Sequence, residues 1–335
     1  MTRAAFLAGP RRISLGTIEL PAPGPGEARV AVAACGVCGT NLDGWSAPDK
    51  ALATALLPGA HGHEVAGIVS SVGPGAGGLA VGDRVCLEPN LALQPGPIAA
   101  WGFADSIVAP VQSLLRLPDG LDLELATLAE PLASAIHGLR GSFTAVTGGG
   151  RLDGVSVAVI GAGVLGLLTV AAAVDLGGTA IAVARHPHQA KAAAALGASD
   201  VLDSSDPETI RSLRKLRPRL VVEAVGGASN AIADAFAAVA PDGEIVIMGL
   251  FDGPRELDVT RAVFRNVRAF FALAYGERDG VTDFELALRL LAARPADFGR
   301  LLTHRLPLGE AQRAFELAAD KSAGTLRVLV TPRSG

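Results

Sequence analysis

The sequence predicts an α/β chain of two units, one rich in short strands and one built on a doubly wound parallel sheet. Three observations carry that expectation. The 335 residues are about twice the length of an ordinary domain. Half of them are apolar and 19% are charged, with a mean hydropathy of +0.39, which excludes a disordered or coiled-coil chain. The hydrophobic rhythm also changes part-way, from short β-type runs between turns to strands that alternate with Ala-rich helical stretches.

From Val30 to about Pro118 the β-type runs are Ala28 to Ala33, Val65 to Val72, Asp83 to Leu87 and Phe103 to Pro110, set apart by Gly/Pro clusters such as the one that starts at Gly73. Around Asp122 the spacing turns helical, through Leu121, Leu123, Leu125, Leu128, Leu132 and Ile136. After the glycines that follow Thr147, strands at Val155 to Ile160, Thr179 to Ala184, Leu220 to Ala224 and Glu244 to Met248 alternate with helical stretches. That alternation implies a parallel sheet covered on both faces. The tail beyond Gly280 holds two helical patterns, broken at Pro295, and a last strand at Thr325 to Val330.

Net charge is −4, and no Lys/Arg run is longer than Arg11-Arg12, so the electrostatic footprint of a nucleic-acid binder is missing. Cys35, Cys38 and Cys86 make an odd set, a poor basis for a disulfide framework and a fit to a reducing, cytoplasmic compartment. The N-terminal apolar run is too short for a signal peptide. Gly154 to Val174 is 21 residues without a charge. Its internal glycines read as a buried strand, a tight turn and a buried helix rather than a membrane span.

That turn is Gly161-Ala-Gly163-Val-Leu165-Gly166, directly after the strand Val155 to Ile160. A GxGxxG between strand and helix suits a dinucleotide. The first glycine permits the turn, the second lets a pyrophosphate approach the backbone, and the third lets helix and strand pack closely. Free N–H groups at the helix start supply the anion site. An NAD site wants Asp or Glu at the end of the next strand, to accept from the ribose 2′-OH. Here that strand ends Ala184-Arg185-His186 with no acid, and Arg185 offers a charge-assisted partner to a 2′-phosphate, so NADP(H) is favoured over NAD(H).

A second constellation lies in the β-rich part. Cys35-Gly-Val-Cys38-Gly-Thr40-Asn41 is followed by His61-Gly-His63-Glu64 and, much later, by Glu130. No second C-x-x-C pair exists to close a four-cysteine site. One thiolate, one imidazole and one or two carboxylates with an open position is the donor pattern of catalytic zinc.

Taken with Val81-Gly-Asp-Arg-Val85 and Glu130-Pro-Leu-Ala, these motifs resemble the zinc-dependent medium-chain dehydrogenase/reductase superfamily, in its alcohol, polyol and threonine dehydrogenase-like branch. The resemblance implies a GroES-like β-barrel catalytic domain (1–131 and 275–335) with a Rossmann domain (132–274) inserted, and an active site in the cleft. It implies that Cys38 rather than Cys35 ligates zinc, that His63 and Glu130 follow, and that Glu64 lies beside the metal as a ligand or in exchange with water. Thr40 resembles the hydroxyl that relays the substrate proton, and Asp43 stands where a histidine often ends that relay. Leu165 resembles the residue that packs on the nicotinamide, and Arg327 one that reaches the cofactor phosphates. Trp45 and Trp101 fall in segments that wall the substrate pocket, against the bland reading of core tryptophans.

The sequence departs from the family where Asn41 replaces an expected Asp, and only Leu91 to Ala99 stands in place of a four-cysteine zinc lobe, so one zinc per chain is expected. His61, His137 and His304 read as packing or surface histidines. The run from Ala269 to Tyr275 looks like a last sheet strand, whose edge suits a homodimer or a dimer-built tetramer. The expected reaction moves a hydride between NADP(H) and a secondary alcohol or polyol-like hydroxyl, or the matching ketone, with zinc as Lewis acid. A zinc-independent enoyl or quinone reductase and a silent NADP(H)-binding protein are the alternatives on the same fold.

Overall fold

A computed structural model describes residues 1–47, 62–92 and 101–332, so His61 and most of the Leu91 to Ala99 stretch lie outside the described residues. The chain divides into two compact units, Met1–Glu130 with Leu291–Gly335, and Pro131–Leu290. Among the described residues, no helix is long and apolar enough to cross a membrane.

The first unit opens on a hairpin of β1 (Thr2–Gly9) and β2 (Arg12–Ile18), then continues through β3 (Glu27–Gly36), β4 (Glu64–Val72), β5 (Arg84–Leu87), β6 (Ser106–Pro110) and β7 (Leu114–Arg116). In β3 the buried positions alternate, with Ala28, Val30, Val32 and Ala34 facing inward, the period expected of a half-buried strand. This strand sits at the centre of its sheet, pairing antiparallel with both β4 and β6.

The second unit carries β8 (Ser156–Ile160), β9 (Thr179–Ala184), β10 (Asp200–Asp203), β11 (Leu220–Glu223), β12 (Glu244–Ile247) and β13 (Arg268–Phe271). They form one six-stranded sheet in the order β10-β9-β8-β11-β12-β13, every pair parallel. The order reverses between β8 and β11, which is the switch point of a doubly wound sheet. The uncharged run beyond β8 is explained by the helix Val164–Asp175, in which every residue from Gly166 to Ala173 is buried, leaving no polar face to maintain.

A short hairpin, β14 (Glu277–Arg278) with β15 (Val281–Thr282), leads into the helix Asp283–Ala293. Buried Asp283 accepts from Gly276 N and Arg140 Nη1 and lies 3.0 Å from His137 Nδ1. Burial alone would raise its carboxyl pKa; the His137, Gly276 and Arg140 contacts outweigh it and hold the group below its usual range. This cluster keeps 275–290 with the second unit, where the motif pattern had placed the return at 275. His137 is thus a structural partner.

The chain then completes the first sheet with β16 (Leu302–Pro307) and β17 (Arg327–Thr331). β17 pairs antiparallel with the end of β3, Leu329 opposite Gly36 and Val330 opposite Cys35, and gives a seven-stranded sheet among the described residues.

Candidate active site

In the first unit, β3 ends at Gly36 and the chain turns through Val37 and Cys38 into the helix Gly39–Ser46. Cys38 is the N-cap. Asn41 Oδ1 accepts from Cys38 N at 2.9 Å, one half of a reciprocal capping box. The amide that stands where an Asp was expected therefore holds the Cys38 backbone. Antiparallel pairing of β3 with β4 sets Glu64 opposite Gly36 and brings His63, the residue before β4, alongside. The donor atoms of Cys38, His63 and Glu64 lie within 4.8 Å of one another.

The electrostatics of this cluster call for a cation. Burial works against a charged imidazole at His63, yet a hydrogen bond to Cys38 and the charges of Cys38, Glu130 and Glu64 raise its pKa to about 10. A thiolate, an imidazole and carboxylates fit zinc. Glu130, half-buried in the first turn of the helix Ala129–Gly141, acts on His63 through its charge, while the carboxylate that closes the three-residue cluster is Glu64.

Cys35 is excluded from the set. Its thiol is fully buried, and burial first, then the Glu64 charge, push its pKa well above the ordinary value, so it packs as a small hydrophobe. Burial pushes Cys86 up to about 12 in the same way. Thr40 Oγ1 is buried and has no hydrogen-bond partner among the described residues, which leaves it able to serve an incoming hydroxyl. Asp43 lies three residues further along the same helix and is exposed.

A buried ion pair lies beside the cluster, and one assignment changes. Arg327 Nη1 lies 2.8 Å from Glu64 and donates to the Val37 carbonyl at 2.7 Å, with its side chain only 5% exposed. One guanidinium nitrogen thus ties β17 to the ligand segment. Nothing in the sequence announced this pair, because its partners are separated by most of the chain. Trp45 and Trp101 are 2% and 1% exposed within the first unit's hydrophobic core, Trp45 packing 6.0 Å from Phe315, so both are core tryptophans rather than walls of an open pocket.

In the second unit the glycine turn has the geometry its spacing requires. Gly161 has φ +103°, a left-handed conformation that favours glycine. A Cβ on Gly166 would stand 1.8 Å from the Gly161 carbonyl oxygen, so only glycine lets the helix approach. A Cβ on Gly163 would meet nothing within 4 Å, which leaves the backbone open to a ligand. Leu165, half-buried, lies in the first turn of that helix.

Two family models match the chain. The description "Alcohol dehydrogenase GroES-like domain" covers residues 24–119, and "Zinc-binding dehydrogenase" covers 164–293. The chain belongs to the zinc-dependent medium-chain dehydrogenase superfamily. It is 29% identical to the L-threonine 3-dehydrogenase of Pyrococcus abyssi, over 92% of each chain, and 26% identical to the sorbitol dehydrogenase of Bombyx mori, over 98% and 97%. Its fold matches a Sinorhizobium meliloti 1021 protein solved bound to NADP with a TM-score of 0.83, at 25% identity over 99% of each chain. The two units are thus the superfamily's GroES-like and Rossmann-type domains.

For a member of this superfamily, cofactor selectivity rests on the end of β9. Exposed Arg185 lines a cavity of about 140 Å³ with Ala184, His186, Val201, Leu202 and Asp203. That volume suits one group of a ligand, not a whole cofactor. Asp203 was not foreseen. It belongs to β10, and parallel register sets it opposite Ala184. Its carboxylate accepts from Ser205 N and Ser205 Oγ, both at 2.8 Å, and these bonds hold its pKa below the usual range. The acid is engaged in its own turn, while Arg185 lines the same cavity.

Proposed function

We propose that this dehydrogenase moves a hydride between NADP(H) and a secondary alcohol or polyol-like hydroxyl, or the matching ketone, with one zinc held by Cys38, His63 and the carboxylates Glu64 and Glu130. The observation that carries the reading is the convergence of the Cys38, His63 and Glu64 donor atoms, all within 4.8 Å of one another. The names of its relatives, a threonine 3-dehydrogenase and a sorbitol dehydrogenase, support a hydroxyl on a carbon chain as the reacting group. When bound, zinc supplies a Lewis acid for the substrate oxygen and the nicotinamide supplies the hydride acceptor or donor.

The chain's own residues do the rest. Thr40 Oγ1, buried without a partner, accepts the proton of the substrate hydroxyl and passes its own towards Asp43 or water. Leu165 offers apolar surface to the nicotinamide ring. The N–H groups at the start of the helix Val164–Asp175 take the pyrophosphate, and Arg185 takes the 2′-phosphate. The NADP-bound structural neighbour supports that choice.

The test is a panel of secondary alcohols, polyols and L-threonine with NADP⁺ and NAD⁺, followed by the appearance of reduced nicotinamide. Reduction with at least one member is expected. No reduction by a zinc-replete preparation across the panel, or turnover of an α,β-unsaturated carbonyl that survives chelation, overturns the reading.

The unpaired cysteines fit a reducing cytoplasm. A homodimer through β13 follows from its edge position and from the exposed Val263, Phe264, Phe271 and Leu273, which are 72%, 85%, 69% and 76% exposed. Phe271→Glu with Leu273→Lys should lower the sedimenting mass to that of one chain. An unaltered protein that already sediments as a monomer at micromolar concentration sinks the dimer.

A further inference from the structure

The reaction so far leaves a buried carboxylate of the second unit unused. Glu223, the last residue of β11, is fully buried, and among the described residues no cationic side chain pairs with it. A buried carboxylate is costly unless hydrogen bonds replace its water. Here backbone N–H groups do so. Glu223 Oε1 accepts from Val225 N at 2.7 Å and Gly226 N at 2.9 Å, and Oε2 accepts from Gly249 N at 3.2 Å.

These donors come from two loops, one following β11 and the other following β12. The loops are further stitched by Met248 N to the Glu223 carbonyl at 2.9 Å and Gly227 N to the Leu250 carbonyl at 2.6 Å. Gly226 and Gly227 both take positive φ, +63° and +59°. A Cβ on Gly249 would lie 2.4 Å from Glu223 Oε2, so the carboxylate also dictates a glycine there. Val225, whose N–H the carboxylate fixes, presses against the first glycine of the dinucleotide turn, where a Cβ on Gly161 would stand 2.6 Å from Val225 Cγ2.

The location gives this knot a function. A dinucleotide lies across the carboxyl ends of such a sheet, one mononucleotide on each side of the switch point. Arg185 at the end of β9 marks the adenosine side, so the loops after β11 and β12 border the nicotinamide nucleotide. We infer that Glu223 is a positioning residue for the nicotinamide half of the cofactor: its carboxylate clamps the two loops that border that half, against the glycine turn. The inference rests on the dinucleotide reading above.

Glu223→Gln keeps the volume but turns an acceptor oxygen into an NH₂ group facing N–H donors, so the loops must part. Its binding is measured by titration with NADPH and with 2′-phospho-ADP-ribose, which lacks the nicotinamide, and with NADH and ADP-ribose in parallel. NADPH should weaken about tenfold or more while 2′-phospho-ADP-ribose stays within about twofold. Equal weakening of both ligands, or of neither, overturns the inference. If the unaltered protein binds none of the four, the dinucleotide reading falls with it.

A measurement on the unaltered protein guards against a variant that does not fold. Amide exchange at Val225, Gly226 and Gly249 should slow with NADPH and stay unchanged with 2′-phospho-ADP-ribose. Equal slowing by the two ligands overturns the inference as well.

Discussion

Cys38→Ser is expected to remove the zinc and to lower turnover by more than about a hundredfold, since loss of a group that merely supports a ligand already costs about ten- to a hundredfold. A serine hydroxyl does not ionise near neutral pH. The substitution therefore removes the soft donor that zinc requires. Metal analysis and turnover are measured on the same preparation, with Cys86→Ala as the control. Cys86 is a buried thiol in β5, outside the three-residue cluster, and its replacement should leave zinc content intact. Full turnover by metal-free Cys38→Ser protein would falsify the metal assignment and favour zinc-independent reduction on this fold.

Arg185→Ala is expected to lower kcat/KM for NADPH by about ten- to a hundredfold while leaving NADH nearly unchanged. The magnitude follows from one charge-assisted hydrogen bond to a phosphate, about 1.5–3 kcal/mol. Because Arg185 is exposed at the cavity rim, the change leaves the core untouched. The measurement is the ratio of specificity constants for the two cofactors. An unchanged ratio overturns the assignment. If the unaltered enzyme instead prefers NADH and Asp203→Asn abolishes that preference, the acid on β10 reads the ribose.

The strands of both sheets were legible where burial leaves a simple mark. Thr179–Ala184 runs between the residues that composition indicated, and β3 shows the alternation of a half-buried strand. The first hairpin, β10 and β16 were not legible. β2 has no buried residue, and β10 begins and ends in exposed Asp200 and Asp203, so neither carries an apolar run. Of the ligand cluster, Cys38 and His63 stand out because C-x-x-C and Gly-His-Glu are local patterns. Glu64 shares that local pattern, whereas the Arg327 contact depends on β17 returning beside β3. Such long-range register has no local signature. The tryptophans show the converse: being large and few marks a residue without saying which side of a wall it occupies.

The bond from Arg327 to the Val37 carbonyl joins residues 290 apart in sequence. As the chain emerges from the ribosome, the thiol and imidazole appear early, yet the cation that braces their segment arrives only after the whole second unit has been made. A nascent chain halted before β17 would expose the Gly36–Cys38 edge unbraced and its anions unbalanced. Formation of this bond is in this way deferred until β17 has been made, and the Rossmann-type unit has the opportunity to fold before it.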